Sequence, residues 1–168
     1  MLDIIKLPLL APKPKPYQPE NWLLDPHARW ERAGRLNWRD LPRFTDRPRA
    51  LWENGFNSLH GMNDRVPVEA AAALPGSLFL VHLDEIELYV LPASDARAKP
   101  QLRGRFRYAG VNHILSVTDP AIEYRYLPAA MDDGVSTVHM IGECYATVSL
   151  GEPFQGHYYK LLAAIIKP

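Results

Sequence analysis

The sequence is poor in cysteine, in net charge and in long apolar runs. Cys144 is the single cysteine among 168 residues. No disulfide can form within the chain, and a zinc site built on thiolates is close to excluded. The compartment this predicts is a reducing cytosol. Lys+Arg number 19 and Asp+Glu number 19, so no global basic field draws the molecule onto nucleic acid or an anionic membrane. The longest apolar runs, such as Leu161 to Ile166, fall far short of the ~20 residues of a membrane span. Met1 to Leu10 is apolar but carries Asp3, Lys6 and Pro8. It lacks the basic start and small-residue cleavage site of a signal peptide. Catalytic signatures are missing too. Ser149 has no nucleophile elbow, and the six histidines show no HExxH spacing. No GxGxxG or Walker pattern occurs. Cys144 reads as a small buried hydrophobe, and Asp132-Asp133 before Gly134 as a turn. The expectation is a non-enzyme without cofactor, metal or membrane.

Proline is abundant, 16 residues, about twice the usual share of roughly 5%, which disfavours long helices. A hydrophobic share of 47% suits a folded domain. Leu2 to Leu10 reads as a strand, with Pro8 placing its end at an edge or bulge. Ala11 to Pro19 reads as a polyproline-like connector. Asp25-Pro26 predicts a helix to Ala33, closed by Gly34. Asn37 caps a further turn that Pro42 limits, and Asp46 a third helix over Pro48 to Asn54. Gly55 to Arg65 reads as loop and Pro67 to Leu74 as a short helix.

The second half reads as β. Strands are predicted over Ser77 to Leu83 and Ile86 to Leu91, with Asp84-Glu85 either a tight turn or a bend within one strand. Leu102 to Tyr108 and Asn112 to Thr118 form a hairpin around Ala109-Gly110. Asp119-Pro120 ends it. Alternation of Ile122, Tyr124 and Tyr126 predicts a further strand. Cys144 to Leu150 and Tyr158 to Ile166 are the last two. The fold class is mainly β (α+β), a small antiparallel OB-like barrel with short helices packed on or capping it. Residues 1–75 hold the N-terminal strand, connector and helices, and residues 76–168 the barrel. Ile86, Leu88, Val90, Val117, Val148, Leu161 and Ile165 are expected in or next to the core.

Several phrases carry a resemblance: Leu2 to Ile5, Tyr17 to Asn21, Leu51-Trp52, Ser77-Leu78, Phe106 to Gly110, Val117 to Pro120, and Val148 to Pro153 followed by Tyr159 to Leu162. In this order the chain resembles prokaryotic dual OB domain-containing proteins over nearly its whole length. The resemblance implies OB-like barrels and, by fold analogy, binding of nucleic acid or another oligomeric ligand. Those relatives begin with a basic, Gly-rich segment and a Trp-containing strand that have no counterpart here. The first barrel is therefore expected to be incomplete, completed by another chain, or independent of that strand.

The best local binding signal is the alternation of Arg103, Arg105 and Arg107, which predicts three guanidiniums on one water-facing side of a strand. With Arg97 and Lys99 upstream they suit a phosphate backbone. Gly104 would let a ligand approach the main chain. The ordinary alternative is a basic strand that deters edge pairing. A second candidate is the arginine series 29, 32, 35, 39 and 43. On a continuous helix it would place Arg32 and its neighbours beside Trp30 and Trp38. A third is His157 to Lys160, with Tyr159 for base stacking and Lys160 for a phosphate. Buried Tyr and snorkelling Lys are the ordinary reading there. His82 with Asp84, Glu85 and His113 is the only conceivable metal set.

Two functions follow. One is a non-catalytic module binding single-stranded DNA or RNA, or a nucleotide-derived ligand, on a basic and aromatic face. The other is an interaction subunit that completes a protein partner, or a homo-oligomer, through its N-terminal strand.

Overall fold

The computed structural model describes residues 2–92, 99–131 and 138–168. The predicted loop over Pro92 to Pro100, including Arg97, and the turn at Asp132-Asp133 lie largely or wholly outside these. The first strands are β1 (Asp3–Lys6), β2 (Leu9–Pro12), β3 (Trp22–Leu24), β4 (Glu31–Arg35) and β5 (Arg65–Pro67). Then come β6 (Leu78–Leu83), β7 (Ile86–Leu91), β8 (Gln101–Tyr108) and β9 (Val111–Val117). A helix, α1 (Pro120–Met131), precedes β10 (Val138–Ile141), β11 (Cys144–Leu150) and β12 (His157–Ile166). The main sheet has eight strands in the order β10-β7-β8-β9-β12-β11-β6, with β5 pairing β12 off that path.

Turn chemistry explains the two hairpins of this sheet. Ala109 and Gly110 have φ of 48° and 81°, and Gln155 and Gly156 have φ of 49° and 77°. Two successive positive φ values are what a two-residue turn needs to match strand twist. The Ala109-Gly110 hairpin and the alternating strand β7 follow the sequence expectation. Asp84-Glu85 is a bend and no hairpin turn: β6 pairs β11, whereas β7 pairs β8 and β10. Nor is the sheet wholly antiparallel. β12 runs parallel to β9, Leu161 opposite Ser116 and Leu162 opposite Val117. The α1, β10 and β11 segment between them is long enough to return the chain in the same direction.

The core lies under this sheet. Leu51, Val66, Val81, Ile86, Leu88, Leu115, Ala146, Val148 and Leu162 have no exposed surface. Burying each Leu, Ile or Val side chain is worth about 1.5–3 kcal/mol. Val90, Val117 and Ile165 join them. Leu161 is only half-buried, with Leu162 taking the inward position. Gly104 is buried, and a Cβ there would collide with Leu162 Cδ1 and approach Ile86 Cγ2 at 3.3 Å. Its bare backbone therefore admits core side chains and offers no ligand access.

Two helical expectations and one strand expectation change. Residues 26–33 form no helix. The Asp25 side chain accepts the His27 amide at 2.9 Å in a turn, and the chain continues into β4. Pro48 to Asn54 is not helical either, and the Asp46 carboxylate instead accepts the Leu80 amide at 2.8 Å. Residues 122, 124 and 126 lie in α1. Asp119 caps that helix through the Ala121 amide at 2.9 Å and also accepts the Ile165 amide at 2.9 Å. Ile122, Tyr126 and Leu127 then fall on one helical face against the core. The 3-10 helices at Trp38–Arg43 and Val68–Ala73 match the expected short turns.

The N-terminal segment forms two separate two-stranded sheets, β1-β4 and β2-β3. The expected single strand is thus broken at Leu7-Pro8, and its partners come from residues 22–35. The connector is no free polyproline arm. Lys15 and Gln18 bridge, and Tyr17 is buried, its ring stacked on Tyr158 at 4.5 Å.

Candidate functional site

β8 pairs in antiparallel register with β7 and β9, so Arg105 stands opposite Glu87 on one side and Ile114 on the other. Arg107 stands opposite Asn112. Both arginines are exposed. Arg105 Nη1 lies 3.4 Å from the Glu87 carboxylate, and its guanidinium sits 5.6 Å from the Tyr89 ring centre. An exposed pair at that distance is weak and screened by salt. Arg107 makes no ion pair among the described residues.

These two side chains open onto a depression of about 340 Å³ that Asp84, Glu85, Asn112 and Met140 also line. Arg105 and Asn112 also line a second depression of about 280 Å³ with Met62 and Ile114. The two therefore adjoin across β8 and β9. The surface combines guanidinium donors, carboxylate acceptors and an amide with thioether and aliphatic walls. Chemically it suits a ligand that carries both an anionic group and hydrogen-bond donors.

Arg103 departs from the alternation. It is 8% exposed and hydrogen bonds Gln101 at 3.0 Å. Its Nε has no partner, and burial lowers its pKa from the ordinary arginine value. Strand periodicity gives side-chain direction, but the layers packed over each position decide exposure. Lys99 is exposed ahead of β8.

The other candidates do not join this surface. Trp30 is 64% exposed beside β4. Arg32 is bound to Asp3 at 3.2 Å in the β1-β4 sheet. With β4 a strand, the arginine series 29 to 43 forms no helical stripe. Trp38 packs edge-on against Tyr145 at 4.7 Å. Tyr159 is half-buried opposite Arg65. Lys160 is buried at 1% exposure, donating to the Glu53 carbonyl at 2.5 Å and to Asn54 Oδ1 at 3.2 Å. Burial pushes its ammonium down to about 8, against the pull of Asp64 and Glu53. It ties β12 to the loop after Trp52 and is not displayed to a phosphate.

His82 Nε2 lies 2.8 Å from Glu143 Oε1. His113 is buried, stacked on Phe106 at 5.4 Å, and burial together with Lys160 pushes it down to about 4. No three metal-ligating side chains gather among the described residues. Burial and Glu143 push the Cys144 thiol up to about 11. Among the described residues no helix is long and apolar enough to cross a membrane.

Sequence reasoning missed Asn112, Met62 and Met140 as lining residues. Asn112 was visible only as the partner of Arg107 across the predicted hairpin. Met62 reaches the surface through a bridge to Ile114, for which no local signal exists.

Three of the residues that carried the resemblance, Glu20, Trp52 and Ser77, meet at the junction between the N-terminal segment and the main sheet. The Ser77 amide and hydroxyl both donate to Glu20 Oε1, and Trp52 Nε1 donates to the Gly76 carbonyl at 2.7 Å. No curated protein and no solved structure matches the chain. A family model does, over residues 1–165. Its OB-containing character makes a binding module the coarse functional reading, and the chain belongs to the family of the dual OB-containing domain.

Proposed function

We propose that this protein is a non-catalytic module that binds single-stranded nucleic acid, or a nucleotide-derived ligand, across β7 to β9. The observation that carries the reading is the pair of adjoining depressions sharing Arg105 and Asn112, with Arg107 beside them. The guanidiniums suit phosphate. Asp84 and Glu85 suit exocyclic amino groups of bases. An open sheet whose consecutive strands β6 and β7 stand far apart in its pairing order, on either side of the Asp84-Glu85 bend, supports an OB-like arrangement of the strands. The single, buried Cys144 fits a cytoplasmic home.

The test is a salt titration of labelled single-stranded DNA and RNA. Replacing Arg105 and Arg107 with Ala should flatten the salt slope by about 1.4, at ~0.7 per phosphate contact on single strands. No binding at low salt, or an unchanged slope, would reject this reading.

A second reading has its own observation. Ile4, Ile5, Leu9, Leu10, Trp22, Leu23 and Leu24 are each at least 39% exposed on paired but uncovered strands. It is a subunit that associates with a protein partner by strand pairing at this end.

A further inference from the structure

A group of rings stands at the start of β12. Tyr158 and Lys160 point inward there, so His157 and Tyr159 point outward and are half-buried. The Gln155-Gly156 turn folds Phe154 back opposite His157, their backbones exchanging hydrogen bonds of 2.8 and 3.1 Å. Phe154 therefore shares the outward face. It is 61% exposed, its ring 6.4 Å from that of Tyr159. The Phe56 ring lies 6.1 Å from His157. β5 adds Arg65, paired opposite Tyr159. Arg65 Nη2 donates to the Asn57 carbonyl, but its buried Nε has no partner. Among the described residues no carboxylate pairs with it.

The strand register puts this group on the same side of the main sheet as Arg105 and Arg107. Ser116 of β9 stands opposite Arg103 on one edge and opposite Leu161 of β12 on the other. Residues opposite one another share a face, and faces alternate along each strand. Arg105, Arg107, Asn112 and Ile114 thus lie on the side of His157 and Tyr159. Ahead of Leu161, β9 and β12 separate, and residues 62–67 fill the gap. Met62 bridges Ile114, and Arg65–Pro67 pairs with β12. Tyr159 lines neither depression, yet Met62, which lines the second, is joined to Arg65 by two residues. The strip from β8 to β12 crosses three strand spacings, about 14 Å.

Guanidiniums and flat rings share this strip, which is longer than one nucleotide covers. Phosphates suit the guanidiniums, and bases suit the rings whatever the sequence, because every base has a π face. An apolar peptide laid here would leave the Arg65 Nε without an acceptor. We propose that the ligand is an oligonucleotide single strand whose phosphates meet Arg105 and Arg107 and whose further bases stack on Phe154, Tyr159 and Phe56, with Arg65 between the two groups. This rests on the nucleic-acid reading above and goes beyond it in two ways. The ligand is an oligomer, and its bases have a stacking site outside both depressions.

The experiment is fluorescence anisotropy of the full chain with labelled oligothymidylate and oligouridylate of two, four and eight nucleotides. Affinity should climb with length, by about tenfold or more from the shortest strand to the longest. Phe154→Ala should weaken binding of the longest strand about five- to 150-fold, the loss of one stacked base, with its salt slope unchanged. Phe154→Trp should retain binding. Unchanged thermal melting would show that both variants fold. In the wild type, a strand carrying 5-iodouridine should cross-link under ultraviolet light to Phe56, Phe154 or Tyr159. Affinity flat beyond two nucleotides, binding indifferent to Phe154→Ala, or cross-links confined to β8 and β9 would overturn the proposal. If the Arg105 and Arg107 replacements still weaken binding in that case, the ligand surface stands and the stacking site falls. If no strand binds at low salt, both fall.

Discussion

The same residue types have opposite fates at the two ends of this chain. Leu, Ile and Trp in residues 4–30 remain between a third and two thirds exposed, while the inward-facing Ile86, Leu88, Leu115, Leu162 and Ile165 of β7, β9 and β12 are buried. Hydrophobicity does not separate the two regions. The number of neighbouring layers does. A strand inside the eight-stranded sheet has hydrogen-bond partners on both edges and a core beneath it. β1 and β2 each have one partner and no cover. The first region is thus set up for association, and the second carries the stability.

That contrast can be broken by substitution. Leu162→Ala should show the largest effect, destabilising by about 2–5 kcal/mol in chemical denaturation, because Leu162 is fully buried against Gly104.

The buried titratable groups come next, each on the order of 3 kcal/mol. His113 sits near 4 in the folded state, below its ordinary 6.5. The unfolded chain therefore binds more protons between those values, and stability should rise as pH climbs from 4 to 6.5. In His113→Phe that rise should be smaller by this amount. Lys160 is likewise depressed, to about 8 from 10.5. Its ammonium is a burden to the fold below pH 8, and stability should rise from pH 8 to 10.5 as the folded protein releases the proton first. Denaturation midpoints of Lys160→Met over that window should rise less than those of the wild type.

Gly104→Ala should cost about 1–3 kcal/mol by overpacking Leu162 and Ile86. A neutral outcome there would mean that β8 shifts freely and that the core is looser than its packing implies. The smallest effect belongs to the first region. Ile4→Ala should change monomer stability by no more than about 0.5 kcal/mol, measured in the dilute, dissociated protein. A larger loss would place β1 within the cooperative fold and end the contrast.

Much of the second half was legible from local pattern. Alternation in β7 and the Ala109-Gly110 turn depend on residues adjacent in sequence. The candidate surface was legible only in part. Arg105 and Arg107 were found because period-2 geometry is local. Arg103 and Lys160 were misplaced because burial depends on what another segment lays over them. For Lys160 that segment is the Glu53-Asn54 loop, more than a hundred residues away.

The sequence by itself determined the strand-rich class, the tight hairpin at Ala109-Gly110 and the family likeness, all of which rest on short-range chemistry or on residue order. The tertiary structure decided the rest, and two aspartates show why. Asp25-Pro26 and Asp119-Pro120 offer the same capping signal. After Asp119, residues Ile122, Tyr126 and Leu127 find the core, and the helix forms. After Asp25 the chain runs across no apolar layer, and its Gly34 and Arg32 pair with Ile4 and Ile5 instead. A cap contributes about 1 kcal/mol to starting a helix. The packing of a whole face outweighs it, and only the three-dimensional arrangement supplies that face.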